Sequence, residues 1–179
     1  MNEQQKAIKA SSKVIAVIMK IGYIAMIVAM SICVINLLFM AVTGGQTSIV
    51  TSSGMRIVAV SAPGTTPQGV AAISIAALII SAFLFAIFLL TYRIFHEISV
   101  TGTPFNVKYV KAIKAIGILV AVMSIVGSTV DSIAASYAGM ETLGLCSDST
   151  GVIFGVIIFC LAYIFDYGCT LQKQSDETL

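Results

Sequence analysis

His96 is the one histidine in 179 residues, and it stands in "YRIFHEIS" between Arg93 and Glu97. Imidazole exchanges protons near neutral pH, so pH sensing or general-base work is the chemistry it offers. The plainer reading is a polar residue where a helix leaves an apolar layer. Arg93 and Glu97 are four apart, a spacing that permits weak pairing on one helix face.

The four cysteines are Cys33, Cys146, Cys160 and Cys169, and none belongs to a C-x-x-C pair. That spacing argues against a disulfide framework and against a zinc site. Asp131, Glu141 and Asp148 spread over 18 positions without the dense D-x-D pattern a hard cation favours. There is no G-x-S-x-G, no H-E-x-x-H, no P-loop and no pair of catalytic carboxylates. No cofactor and no metal is expected, and no residue is singled out as catalytic.

The elements that must position these residues are set by composition. Hydrophobic residues make up 58 % of the chain and charged residues 10 %, against roughly 25 % charged in a soluble domain. Mean hydropathy is +1.02. Uncharged runs approach the ~20 residues of a bilayer-spanning helix, so an integral membrane protein is expected. The net charge is +2, and no basic patch is interleaved with aromatics. Direct nucleic-acid binding is therefore not expected.

Four apolar segments predict transmembrane helices over about 14–42, 70–92, 112–130 and 150–167. Backbone groups must pair within each segment in lipid, which forces helix. Nine of the ten basic residues fall on one side: Lys6, Lys9, Lys13, Lys20, Arg93, Lys108, Lys111, Lys114 and Lys173. Arg56 alone falls on the other. Basic loops stay in the cytoplasm, so both termini, the loop 93–111 and the tail 168–179 are expected there. Loops 43–69 and 131–149 are expected outside. The uncharged run Ile21–Val42 exceeds a signal-peptide core of about 7–15 residues, which argues against cleavage.

In the first outer loop, "SIV" and "MRIVAV" flank "TSSG", which suggests a small extracytoplasmic β-hairpin. In the cytoplasmic loop, Gly102 would turn the chain, Thr103 would cap the third helix and Pro104 would open it. The expected architecture is an all-α, antiparallel four-helix bundle in one membrane domain.

Lys108, Lys111 and Lys114 recur every three residues and share one side of a helix. They could hold anionic lipid headgroups, each worth roughly 1 kcal/mol, or simply enforce orientation. The acids of the tail, Asp176 and Glu177, face the same compartment and could reach those lysines. Tyr163, Phe165 and Tyr167 resemble interfacial anchors, which would put Asp166 among headgroups. The fourth helix either ends at Gly168 or continues through "CTLQKQ".

Helix packing leaves its own pattern. Gly151 and Gly155, Gly117 and Ala121, and Ala25 and Ala29 are small-xxx-small pairs that let helices approach closely. Packing within the monomer is favoured over a homo-oligomeric contact. Asn36 is the main strongly polar residue inside the first span, and an interhelical hydrogen bond is its expected role. No ionisable residue lies near a bilayer centre, which weighs against an ion-coupled transporter.

Four spans with both ends inside, a hairpin-like first outer loop, "GTPFN" before the third span and "IFDYGCTLQKQSDETL" at the end together resemble a bacterial membrane family. That family is catalogued as domain of unknown function number twenty-nine seventy-five. The resemblance covers nearly the whole chain. It is carried most specifically by Gly102, Pro104 and Phe105, then by Phe165, Gly168, Leu171, Gln172, Asp176, Thr178 and Leu179. Many members carry a basic residue where this chain has Asp166. The resemblance implies a bacterial cytoplasmic-membrane protein of unestablished biochemistry, with a neighbouring helix-turn-helix regulator as its partner.

The functional expectation is a non-enzymatic sensing or signalling module with cytoplasmic output. Its alternative is a small oligomeric transporter or channel, with a path lined by Asn36, Ser81, Ser124, Ser128 or Thr129. A membrane enzyme comes third.

Overall fold

The computed structural model describes residues 3–43, 50–53, 56–59, 67–102, 107–139 and 150–177. Four helices dominate: α1 (Glu3–Thr43), α2 (Pro67–Thr101), α3 (Val107–Ala138) and α4 (Thr150–Glu177). Each is long and apolar enough to cross a membrane. At 1.5 Å per residue, the 41 residues of α1 extend for about 60 Å, twice the ~30 Å hydrocarbon thickness. Between α1 and α2, β1 (Val50–Ser53) pairs antiparallel with β2 (Arg56–Ala59), Val50 opposite Ala59 and Ser53 opposite Arg56.

The helices outrun the apolar segments. α2 continues beyond the apolar segment 70–92 to Thr101, and α3 runs from Val107 to Ala138 around the apolar segment 112–130. The fourth continues through Gly168 to Glu177. The physical reason is common to all three. "RIFHEISVT", "DSIAASYA" and "CTLQKQSDE" contain no proline and no glycine to stop a helix already nucleated. The single Gly168 costs only about 1 kcal/mol. The stops that do work are glycines with positive φ. Gly102 has φ +73° and its N–H donates to the Ile98 carbonyl at 2.8 Å, an αL cap. Gly139 has φ +69° directly after α3. Thr103 and Pro104 lie outside the described residues.

Consecutive helices run in opposite directions. Gly22 of α1 lies under Phe88 of α2, while Lys9 reaches Gly102. Val70, Ile73 and Ala76 of α2 form a buried cluster with Ala134, Ala135 and Ala138 of α3. At the other end of the same pair, Ile94 and Ile98 pack on Tyr109. Among the described residues, close backbone approach between helices joins only sequence neighbours: α1 to α2, α2 to α3 and α3 to α4.

The outside of this array is apolar. Ile18, Ile21, Val28, Ile35 and Leu38 of α1 are exposed, as are Ile153, Phe154, Ile157 and Ile164 of α4. Patches of that extent on a water-soluble monomer would be an aggregation hazard; toward lipid they are ordinary. Hydroxyls inside the helices bond backward within their own helix. Ser74 donates to the Val70 carbonyl, Ser81 to Ala77 and Thr91 to Ile87, at 2.9, 2.6 and 2.8 Å. This geometry lets a polar side chain sit in an apolar layer without a partner helix.

Candidate functional site

A close backbone contact between α3 and α4 is built from glycines. A Cβ on Gly155 of α4 would lie 2.7 Å from the Gly117 carbonyl oxygen and 2.7 Å from the Ala121 nitrogen of α3. A Cβ on Gly117 would meet the Gly155 oxygen and the Phe159 nitrogen at 2.9 Å. Gly151 sits against the Ser124 side chain. Gly117, Gly151 and Gly155, singled out by their spacing, are thus brought together along one α3–α4 seam within the chain.

One turn beyond Gly117, this seam sets the neighbours of Lys114. Its Nζ is 3.0 Å from Asp166 Oδ2 and 4.1 Å from the centroid of the Tyr163 ring. Tyr163 and Asp166 are three apart, so they present to one face of α4. Phe159, one turn earlier, holds Tyr163 edge-on at 5.4 Å between ring centroids. The ion pair is partly open to its surroundings, with side-chain exposures of 26 % for Lys114 and 43 % for Asp166. It contributes at most ~1 kcal/mol at such exposure, and the ring adds roughly 0.5–1 kcal/mol. The cluster fixes a register more than it supplies stability.

Lys108 and Lys111 are exposed, whereas Lys114 is half-buried and pairs with Asp166. Glu177 lies 3.8 Å from Lys173 on its own helix, because an unbroken α4 presents the two at i, i+4. The side chain of Asp176 lies outside what the structure describes. Arg93 and Glu97 form no ion pair among the described residues.

Beside the clamp is an apolar cavity of about 390 Å³ to which all four helices contribute. Ile8 comes from α1, Phe95 and Ile98 from α2, Tyr109 and Ile113 from α3, and Phe165 from α4. Its size is in the range of small-molecule sites, roughly 300–1,000 Å³. Thr91 also lines it, but its hydroxyl is bonded to Ile87. The chamber offers shape and apolar surface.

The residues proposed for a conduction path are spread over three helices. Asn36 and Ser81 are buried on α1 and α2, Ser124 is buried against α4, and Thr129 is exposed on α3. Ser81, Ser128 and Thr129 have their hydroxyls bonded to their own helices. Asn36 is 1 % exposed, yet among the described residues neither its Oδ1 nor its Nδ2 has a hydrogen-bond partner. The interhelical bond expected of it is not formed among the described residues. Asp131 is 3 % exposed, on the stretch of α3 between Val130 and Ala134, both of which pack with α2.

His96 is exposed, with its ring centroid 5.5 Å from that of Tyr92. Among the described residues, no three of His, Cys, Asp and Glu gather as a metal site. Cys33, Cys160 and Cys169 are free thiols.

Two features of this region escaped sequence reasoning: the Lys114–Asp166 pair and the four-helix cavity. The pair had a usable signal. Opposite charges stand at the same ends of two adjacent apolar segments, which matches their depth. Compared with known proteins, the chain matches no family model, no curated protein and no solved structure.

Proposed function

We propose that this is a non-enzymatic, multi-pass protein of a bacterial cytoplasmic membrane, with both termini in the cytoplasm, that senses the bilayer or a small apolar ligand and signals through α4. One observation carries this reading. α4 passes without a break from its apolar part to Glu177, and Lys114 grips it at Asp166 and Tyr163, where the apolar part ends. A shift of α3 against α4 around the adjoining cavity would be delivered directly to the polar end of the helix. The orientation rests on the distribution of lysine and arginine, and it puts β1 and β2 outside.

The output would be a cytoplasmic protein, and the family resemblance makes a helix-turn-helix regulator the first candidate. The experiment is affinity capture from membranes with the full chain, with a chain lacking residues 172–179, and with Lys114→Ala. A partner present only with the full chain and weakened by Lys114→Ala is expected. Identical partner sets for all three chains, or none, would overturn the signalling reading. Reporter fusions at each terminus test the orientation separately.

A further inference from the structure

α1 and α2 leave a groove on the side of their seam away from the four-helix cavity. At one end it has a volume of about 420 Å³ and is lined by Lys13, Lys20, Tyr92, His96 and Ser99, with Val17 in its floor. Farther along α1 lies a second groove of about 450 Å³, lined by Ile27, Met30, Val34, Ile35 and Phe85. At 100° per residue, Lys13, Val17, Lys20, Ile27 and Val34 fall within about 100° of arc on α1. Phe85, Tyr92, His96 and Ser99 fall within about 60° on α2. The two grooves therefore follow one side of one seam. Tyr23 marks where they meet, its ring 6.3 Å from Phe85 and 5.5 Å from Tyr92.

We infer that this seam binds one anionic phospholipid, with its phosphate between Lys13, Lys20 and His96 and an acyl chain along Ile27, Val34 and Phe85. The inference rests on the membrane placement proposed above and is independent of any cytoplasmic output. Three observations select the occupant. First, Lys13 and Lys20 have no ion-pair partner among the described residues, so the cationic end is uncompensated. Second, the change from cationic to apolar lining follows the dimensions of a lipid. Lys20 to Ile27 is about 10 Å along the helix and Lys20 to Val34 about 21 Å, against ~15 Å for half of a bilayer's hydrocarbon. Third, a second copy related by a two-fold axis along the membrane normal would set lysine against lysine at equal depth. A lipid phosphate neutralises them.

The test uses the full chain purified in a neutral detergent and incubated with phosphatidylglycerol or phosphatidylcholine of identical chains, read by native mass spectrometry. One phosphatidylglycerol should stay bound under activation that strips phosphatidylcholine. Lys13→Ala with Lys20→Ala should lower its affinity by about thirtyfold, since each lysine near a lipid surface contributes roughly a factor of five. Lys13→Arg with Lys20→Arg should retain binding and guards against a merely misfolded double variant. Val34→Trp, which fills the apolar end, should weaken the lipid while leaving glycerol phosphate unaffected. Equal retention by the double alanine variant, or equal loss on changing Lys108 and Lys111 instead, would overturn the site. So would glycerol phosphate binding as tightly as the lipid, or a dimer cross-linked through this face.

Discussion

Lys114 Nζ and Asp166 Oδ2 are 3.0 Å apart although 52 positions separate the residues in sequence. The pair closes the end of the α3–α4 seam that begins at Gly155 and Gly117. Because both side chains are partly exposed, a double-mutant cycle of Lys114→Met and Asp166→Asn should give a coupling of no more than ~1 kcal/mol. Thermal unfolding in detergent measures it. A coupling indistinguishable from zero would mean that the pair does not hold the helices in register.

The glycine seam should matter more than the ion pair it positions. Gly155→Ala places a methyl group 2.7 Å from backbone atoms of α3. Backbone cannot swing aside as a side-chain tip can, so α3 and α4 must separate. A loss of about 1–3 kcal/mol is expected, in the range of overpacked cores. Gly139→Ala is the contrasting variant. Nothing lies within 4 Å of its new methyl, but its φ of +69° is strained for any L side chain, at roughly 1–2 kcal/mol. The two should be told apart by disulfide trapping of α3 to α4, which Gly155→Ala disturbs and Gly139→Ala leaves intact.

What was legible in the sequence follows the same division. Residues 14–42, 70–92, 112–130 and 150–167 are apolar for a reason any solvent argument finds, and each lies within a helix. The helix ends were less legible, because a bilayer boundary ends an apolar run without ending a helix. Thr101 and Glu177 are reached through polar residues that have no reason to stop one. Gly117, Gly151 and Gly155 announced close packing by their spacing, but spacing does not say which partner a small residue meets. The Lys114–Asp166 pair depends on that missing register. The cavity depends on it four times over, since Ile8, Phe95, Ile113 and Phe165 come from four helices.

Filling the cavity should change its ligand response more than the fold. An apolar chamber of this size admits small apolar guests. Benzene or a short alkane at saturation should raise the unfolding temperature, by the linkage that favours whichever state binds. Ile98→Phe, directed at the chamber wall, should abolish that rise. An unchanged response in Ile98→Phe would show that the guest binds elsewhere, for instance in the outer groove at Phe85.

Asn36 yields the sharpest reversal of an ordinary expectation. Its side chain is buried, and among the described residues both polar atoms lack a hydrogen-bond partner. Most buried polar groups cost stability when removed, because a partner is then left unpaired. Here no partner would be orphaned, so the desolvation cost of the amide, roughly 1–3 kcal/mol, is not offset. Asn36→Leu keeps the branching and the heavy-atom count of the side chain and should leave stability unchanged or raise it. Asn36→Asp should lower it sharply, because it buries a charge with nothing to pair. Thermal unfolding of both variants in one detergent checks the order. If Asn36→Leu were the less stable chain, the amide would have a partner in the folded protein, and a bridging water would be the first place to look.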